Sequence, residues 1–472
     1  MKNLCYLVLL TLVFLSSCNN RKTEDAYVEE EYVEPELLLA GPMLGYVEHR
    51  EAMVWVEVSH HVNYVTLEYF PLDTPSSRRT IQLETYNSSD TSMVFHFTLT
   101  ELRVNSEYEY ELYLNSEKQK LPYVTRFKTR PLWEYNTDAP PLTFLFGSCN
   151  YINDSVYDRP GDPYGKDVSI FETMAEQNAD FMLWLGDNTY FRPADYSSTS
   201  GMAYRYRHTR ILPELQPLLA AMSHYAIWDD HDYGTNDGDK TFQLKQESLQ
   251  LFKRYWANKT YGEENNSGIY SRLQMADAEF YLLDDRYHRS PNGYPAKHSD
   301  KEFLGKQQLQ WLKESLLSSD KNLNFRFIVV GNQVLNPTNQ FECYRNFESE
   351  WQELMDFIVQ HRIEGVVFLS GDRHFTEINF FQPGKEFYRL YDVTSSPLTS
   401  RSFVDLLNTP EGSNPARLEG TLLTEQNFVK ASITGSFLNN DRTVTFQAID
   451  TAGTIRWTKS FHENDLKIPR GE

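Results

Sequence analysis

The chain has 472 residues, of which 40% are hydrophobic and 14% aromatic, and its formal net charge is −21 at pH 7. A chain of this length has more residues than one hydrophobic core ordinarily holds together, so we expect two or three domains. The acidic balance argues against non-specific binding to nucleic acid or to an anionic membrane, and the hydrophobic content argues against a disordered chain.

The first residues have the pattern of a bacterial export signal. Lys2 supplies a positive charge, residues 4–15 form an apolar run too short to span a bilayer, and Leu15-Ser-Ser-Cys18 resembles a lipobox. We therefore predict a signal peptide over 1–17 and a lipid on Cys18, with an ordinary secretory signal as the alternative. Residues 18–38 are acidic and predict a flexible tether. The protein would be exported and anchored by this lipid to the cell envelope, facing the periplasm or the exterior.

Residues 39–130 contain short segments in which apolar and polar residues alternate, as in the strands of a β-sandwich. Strands are predicted at 53–58, 65–70, 93–99, 108–113 and 124–129. Leu102 followed by Tyr108 and Tyr110 resembles the tyrosine corner of fibronectin type III domains. Proline-containing residues 131–141 then predict a linker.

Residues 142–465 alternate strand-like and helix-like segments, the pattern of a layered α/β domain. Helices are predicted at 167–178, 243–256, 301–317 and 348–361. Residues 388–394, 428–434, 443–450 and 454–460 look like strands of a second, mixed sheet that packs on the first.

Four apolar runs in this domain end in residue types that bind metals. The runs occupy 142–149, 181–187, 225–231 and 366–374. A buried parallel strand is a continuous apolar run, and α/β sheets bind ligands at the carboxyl ends of their strands. We therefore expect the terminal residues to meet at one edge and to form a polynuclear metal centre.

The residues at these ends offer several donor types. Gly186 lets the chain turn sharply, so that Asp187 can bridge two cations. Residues 229–231 place two carboxylates beside an imidazole, and carboxylates so close repel each other unless a cation neutralises them. Asp372 and His374 would point to the same side of an extended segment. The candidate donors of the following loop are Asp232, Asn236 and Asp237.

Cys149 has two possible roles, as half of a disulfide or as a metal ligand. Cys5 would leave with the signal peptide and Cys18 would carry lipid, so only Cys149 and Cys343 remain for a disulfide. The position of Cys149 at a strand end favours a thiolate ligand instead. A thiolate and the phenolate of Tyr190 favour Fe³⁺, whereas carboxylates suit Ca²⁺. Zn²⁺ and Mn²⁺ remain alternatives.

Such a centre predicts hydrolysis of a phosphoester. Paired cations lower the pKa of bound water and stabilise an in-line displacement. His231 would protonate the leaving oxygen or stabilise the developing charge. Of six arginines that could bind phosphate, Arg286 and Arg373 are the preferred candidates.

Four motifs resemble those of the PhoD-like alkaline phosphatase and phosphodiesterase family. They are Phe146-Gly-Ser-Cys149, Trp184-Leu-Gly-Asp-Asn-Thr-Tyr190, Ile227-Trp-Asp-Asp-His-Asp232 and Leu369-Ser-Gly-Asp-Arg-His374. The resemblance implies an αββα metallophosphoesterase sandwich with ferric iron and calcium. It places Cys149, Asp187, Tyr190 and Asp372 around iron, with Asp187 bridging. It places Asp229 or Asp230, Asn236 and His374 on the calcium side, and His231 over the phosphoryl group.

The leading hypothesis is an exported alkaline phosphatase-type enzyme that hydrolyses phosphomonoesters, phosphodiesters or both. One alternative keeps the metal site but makes it a phospholipase D-like or cell-envelope phosphodiesterase. Another is a catalytically inactive surface lipoprotein whose β-sandwich binds a glycan or a protein.

Overall fold

The structure is a computed structural model that describes residues 36–85, 91–134, 137–158, 160–320, 322–338 and 341–469. The predicted signal peptide, the lipidation site Cys18 and most of the predicted tether lie outside the described residues. Among the residues that are described, no helix combines the length and the apolar character that crossing a membrane requires.

The first part of the described chain is a β-sandwich. Its strands are β1 (Leu38–Val47), β2 (Ala52–Ser59), β3 (Tyr64–Pro71), β4 (Arg79–Glu84), β5 (Ser92–Leu99), β6 (Glu107–Leu114), β7 (Glu117–Lys118) and β8 (Arg126–Lys128). One antiparallel sheet has the order β1-β2-β5, and the other has the order β4-β3-β6-β7, with β8 also paired to β6. Every second residue of β6 is buried, as expected of a strand with one face on a core.

The tyrosine corner is present. The hydroxyl of Tyr108 accepts the backbone N–H of Arg103 at 2.8 Å, beside the buried Leu102. The sequence analysis missed three strands of the sandwich, of which β7 has only two residues and the other two have a physical reason. Strand β1 contains Gly41, Pro42 and Gly45, which disfavour strands, and β4 is an edge strand with no buried residue.

The second part contains two six-stranded sheets. The first has the order β11-β10-β9-β18-β19-β20, and the second has the order β12-β13-β14-β15-β17-β16. The bounds are β9 (Leu142–Gly147), β10 (Phe181–Leu185), β11 (Ser223–Ile227), β12 (Ser271–Met275), β13 (Ala278–Leu282), β14 (Phe325–Val329), β15 (Val366–Ser370), β16 (Glu377–Phe381), β17 (Leu390–Thr394), β18 (Asn427–Thr434), β19 (Thr443–Asp450) and β20 (Ile455–His462).

The two sheets pack face to face through aromatic side chains. The ring of Phe144 in the first sheet lies 5.2 Å from that of Phe280 and 5.4 Å from that of Phe327, both in the second sheet. All residues of β10, β11, β13, β14, β15 and β17 are buried, which explains the continuous apolar runs of β10 and β15, whereas the other four strands also bury polar or charged residues. The predicted αββα sandwich, preceded by a fibronectin-like β-sandwich, is confirmed.

Helices connect the parallel strands. They are α1 (Ile170–Ala175), α2 (Thr199–Arg210), α3 (Gln216–Ala221), α4 (Asp230–Tyr233), α5 (Lys245–Tyr255), α6 (Lys306–Ser318) and α7 (Glu348–Gln360). The four predicted helices correspond to α1, α5, α6 and α7. Helix α2 lacks a clear apolar periodicity because it buries two arginines, Arg205 and Arg210.

The structure corrects two expectations about the sheets. The four motif-bearing strands do not share one sheet, since β9, β10 and β11 belong to the first and β15 to the second. Strands β18, β19 and β20 were expected in the second sheet but continue the first, where β18 pairs antiparallel with β9. The carboxyl ends of the two sheets nevertheless meet, because Asp372, which follows β15, donates its N–H to Oγ of Ser148, which follows β9.

Candidate metal centre

Each of the candidate donors at three strand ends lies in a sharp backbone turn. Positive φ angles occur at Cys149 (62°), Asp187 (52°), Asp372 (69°) and His374 (58°). Residues other than glycine rarely adopt this conformation, which is typical of functional sites when it occurs. The expectation that Asp372 and His374 lie in an extended segment is therefore wrong, since both are left-handed.

Three groups of donor atoms lie along the edge where the two sheets meet. In each group the atoms are within 4.8 Å of one another. The groups are Cys149 with Asp187 and His374, Asp187 with Asp230 and His231, and Asp230 with Asp237 and Glu342. Because Asp187 belongs to the first two groups and Asp230 to the last two, the donors form one continuous row.

Tyr190 completes the first group. Its hydroxyl donates to Oδ2 of Asp187 at 2.9 Å and lies 3.3 Å from Nε2 of His374. Sγ of Cys149 is 3.7 Å from the same Asp187 oxygen. Nδ1 of His374 is 2.6 Å from the carbonyl of Arg401, which can only accept, so Nε2 is left with its lone pair towards the group.

Burial shifts the pKa values of these groups towards their neutral forms. It raises the pKa of Cys149 to about 11. Burial, with the neighbouring Asp230 carboxylate, raises the pKa of Asp187 well above its usual range, and burial lowers the pKa of His374. A cation reverses this preference for acidic donors, because it favours their charged forms. A buried row of thiol, phenol, carboxyl and neutral imidazole groups therefore fits a metal centre.

His231 lies beside this row. Its backbone N–H donates to Oδ1 of Asp187 at 3.2 Å, and its ring is 4.3 Å from the ring of Tyr190 between centroids. Burial lowers the pKa of His231, so its imidazole is neutral near pH 7. It therefore has both a donor and an acceptor nitrogen next to the candidate centre.

The neighbouring Asp229 and Asp230 have different surroundings. Oδ1 of Asp229 accepts from Nε of Arg286 at 2.6 Å, and its Oδ2 accepts from Nδ2 of Asn332 at 3.0 Å. Asp230 instead belongs to two of the donor groups, and its Oδ2 accepts the N–H of Asp237 at 2.6 Å. Of the two candidates left open, Asp230 is the one that lies in the row.

Four other predicted residues do not belong to the three donor groups, although Arg286 contacts Glu342 of the third group. The buried Arg286 also pairs with Glu342 at 2.7 Å, and Arg373 pairs with Glu411 at 2.6 Å. Both arginines thus hold carboxylates, contrary to the expectation that they are available to phosphate. Asn236 is exposed, and the Asp372 carboxylate lies 3.9 Å from Arg373.

No disulfide joins the two described cysteines, so that alternative reading of Cys149 is wrong. The Cys149 thiol instead accepts the hydroxyl of Ser396 at 3.1 Å. Ser396 also accepts the backbone N–H of His374 at 2.8 Å, and so connects the ends of β9 and β15.

The sequence analysis missed Asn332, Glu342 and Ser396. Asn332 had a signal, since it follows the apolar run 325–330 as the other candidates follow theirs. Glu342 and Ser396 follow no such run, and only the fold brings them to this edge.

Residues 144–463 match the family model of the PhoD-like phosphatase, and residues 35–131 match that of a domain of unknown function (DUF7800). Alkaline phosphatase D of Bacillus subtilis (strain 168) is 24% identical over 296 residues, which cover 52% of this chain and 48% of that protein. The chain thus spans about half the length of this relative.

Two solved structures share the fold. The structure of PhoD is similar over 93% of both chains, with a TM-score of 0.74 and 17% identity. A purple acid phosphatase from yellow lupin (Lupinus luteus) seeds is similar over 91% of this chain and 77% of that chain, with a TM-score of 0.60 and 11% identity. At such identities these similarities establish the fold alone.

Proposed function

Because this chain belongs to the PhoD-like phosphatase family, we propose that it is a metal-dependent hydrolase of phosphoric esters, acting on phosphomonoesters, phosphodiesters or both. The observation that carries the proposal is the continuous row of donors, buried at Cys149, Asp187 and Asp230 and open to solvent at Asp237, in which Asp187 and Asp230 each belong to two groups. A row of this kind would hold more than one cation around a single phosphoryl group.

The donor types suggest which cation each part of the row would hold. Cys149, Asp187 and Tyr190 would hold Fe³⁺, and Asp372 stands near this end. Asp230 would serve Ca²⁺, with Asp237 as an additional oxygen donor, whereas His374, which the resemblance assigns to the calcium side, lies in the group of Cys149 and Asp187. Zn²⁺ or Mn²⁺ are the alternatives. When bound, such cations lower the pKa of water and neutralise charge on the phosphoryl oxygens.

The chain's own residues would prepare and complete the displacement. The neutral His231 would donate a hydrogen bond from its ring N–H towards the phosphoryl group and stabilise the charge that develops on the leaving oxygen. Arg286 would act indirectly, because it holds Asp229 beside Asp230 and Glu342 beside the third donor group. We assign it to positioning rather than to phosphate binding.

An assay of the purified, metal-loaded protein tests this function. Asp187→Asn and Asp230→Asn should lower turnover of p-nitrophenyl phosphate and its bis-ester by more than about 100-fold, the upper end of the cost of losing an outer-shell partner. Asp73→Asn is the matched control, since Asp73 is an exposed carboxylate of the β-sandwich. A fully metallated protein that hydrolyses neither ester would leave the inactive binding lipoprotein as the better hypothesis.

Elemental analysis and visible spectroscopy test the iron assignment. A phenolate bound to ferric iron should give a visible charge-transfer band, and Tyr190→Phe should remove it while the protein stays folded. A colourless protein that contains only zinc would exclude iron.

We also propose that the protein is exported and carries its lipid on Cys18. Cys18→Ala should move the mature protein from the membrane fraction to the soluble fraction of cells. If the wild-type protein is soluble after signal removal, the ordinary secretory signal is the correct reading.

A further inference from the structure

An exposed apolar surface lies beside the candidate metal centre. It consists of Phe341, Phe403, Val404 and Leu407, which we call the apolar shelf. The exposed fractions are 41% for Phe341, 71% for Val404 and 70% for Leu407. Single exposed apolar residues are ordinary, but several of them on one loop and an aromatic neighbour of that loop indicate a binding surface.

One end of the apolar shelf is attached to His374. Phe403 donates its backbone N–H to the carbonyl of His374 at 2.9 Å. Two residues earlier, the carbonyl of Arg401 accepts from Nδ1 of the same histidine at 2.6 Å. The loop that carries Phe403 is thus fixed to both the backbone and the ring of a candidate metal ligand.

The other end of the apolar shelf reaches the third donor group. Phe341 directly precedes Glu342, and its ring meets the ring of Phe403 edge-on, with 5.6 Å between centroids. The guanidinium of Arg373 lies 4.7 Å from the centroid of the Phe341 ring. The two phenylalanines therefore connect the loop after β14 with the loop after β17, alongside residues 372–374.

A further exposed aromatic residue stands against His374. Tyr164, from the loop after β9, is 40% exposed, and its ring lies 5.8 Å from the His374 ring and 6.4 Å from the Tyr190 ring. The backbone of His374 therefore contacts the apolar shelf. Its imidazole contacts the aromatic ring of Tyr164. A group held at the metal centre would have apolar surface within its reach.

We propose that the apolar shelf binds an aromatic or aliphatic substituent of a phosphodiester whose phosphoryl group lies at the metal centre. The inference rests on the proposed function and narrows its substrate class to diesters with one apolar substituent. A small or strongly hydrated substituent would gain nothing from this surface, because it has no apolar area to remove from water. The net charge of −21 disfavours an anionic membrane as the occupant.

Two diesters with the same leaving group test the proposal. Bis(p-nitrophenyl) phosphate and methyl p-nitrophenyl phosphate both release p-nitrophenolate, and they differ only in the aromatic or methyl substituent that remains. The ratio of their kcat/KM values cancels any change at the metal centre that affects both. Phe341→Ala and Phe403→Ala should each lower this ratio by about threefold to tenfold, the range that an aromatic contact supplies.

Leu438→Ser is the matched control. Leu438 is 66% exposed and lies in the turn between β18 and β19, at the edge of the sheet opposite the candidate metal centre. Its substitution should leave the ratio unchanged. Val404→Ser should lower the ratio in the same direction as the phenylalanine variants, and unfolding midpoints should stay equal to that of the wild type because all these side chains are partly or largely exposed.

The outcomes separate this inference from the function on which it rests. If neither diester nor the monoester is hydrolysed, the proposed function fails. If all are hydrolysed and the variants leave the ratio unchanged, only the apolar shelf proposal is overturned. Unchanged ratios with reduced sedimentation of the variants on phosphatidylcholine vesicles would assign the surface to membrane contact instead.

Discussion

Three aspartates within four residues of the loop after β11 have three different partners. Asp229 pairs with Arg286, Asp230 lies in the donor row, and Asp232 accepts only N–H groups. Oδ1 of Asp232 accepts the N–H groups of Asp229 and Asp187, and its Oδ2 accepts the N–H and side-chain amide of Asn188. Asp232 therefore fixes the turn that carries Asp187 against the turn that carries Asp230.

Asp232→Asn should destabilise the protein although Asp232, a candidate donor from its sequence, lies outside the three donor groups. An amide group replaces one accepting oxygen, so at least one buried N–H loses its partner at a cost of about 1–3 kcal/mol. Urea unfolding measures the loss, and metal content should fall with it. Asp73→Asn, at an exposed ion pair, should change stability by less than about 0.5 kcal/mol. Equal effects of the two substitutions would contradict this role.

Two arginines, each paired with two carboxylates, allow a test of how burial changes the stability cost of removing a counter-charge. Arg286 holds Asp229 and Glu342 in the interior, whereas Arg78 holds Glu68 and Glu111 at the surface of the β-sandwich. Arg286→Met should cost about 3–5 kcal/mol, because it leaves the buried Asp229 carboxylate without a counter-charge and leaves Glu342 paired with Arg289 alone. Arg78→Met should cost about 0–1 kcal/mol, since water screens its partners. Urea unfolding of both variants checks the difference, and similar losses would contradict it.

At the scale of elements, the turns after the strands require close approach of backbones from both sheets. A Cβ on Gly371 would lie 2.5 Å from Ser148 Oγ and 2.6 Å from Ser148 Cβ. A Cβ on Gly186, whose φ is 92°, would lie 2.6 Å from Asp229 Cβ. These contacts connect β15 of the second sheet to β9 of the first, and β10 to β11 within the first.

Gly371→Ala should therefore disturb the centre without touching a donor. The added methyl group overpacks the junction at a typical cost of about 1–3 kcal/mol and moves Asp372 and His374 relative to Cys149. Gly384→Ala is the control, because a Cβ at Gly384 meets no atom within 4 Å. Thermal unfolding and metal content check the expectation, which fails if the two alanine variants behave alike.

The strands that could be predicted from the sequence are those that are buried along their whole length. Strands β10 and β15 are buried on both faces, so their sequences are nearly continuous apolar runs that end where the polar edge begins. Strand β4 and helix α2 have no such pattern, because β4 is exposed and α2 buries charged residues. Local sequence predicted an element wherever burial alone defined it.

At the scale of the whole molecule, the centre concentrates acidic groups between two sheets in a chain that is already strongly negative. Burial raises the pKa of Asp372 to about 7 and that of Asp232 to about 7, from an ordinary value of 3.8. A carboxyl group with a raised pKa stabilises the folded state below its ordinary pKa, and this stabilisation is lost as the pH rises through the folded-state value. Bound cations would oppose that loss.

Chelation should therefore reverse the pH dependence of stability. After metal removal, the unfolding temperature should fall as the pH rises from about 4 to about 7, because the raised carboxyl groups must then ionise without a counter-charge. With metal bound it should rise over this range, since cations bind the deprotonated donors more tightly. Thermal unfolding at several pH values, with and without chelator, measures both slopes, and equal slopes would contradict a metal centre built from these groups.

The sequence by itself determined the layered architecture, the β-sandwich before it, the family resemblance and most of the donor row. It did so because buried strands and the donors at their ends are local patterns. Only the tertiary structure decided that the donors come from two sheets, that Asp230 rather than Asp229 lies in the row, and that Arg286 and Arg373 hold carboxylates. The physical reason is that strand order and ion pairing depend on residues distant in the chain, such as Glu342 and Glu411, and no local pattern encodes them.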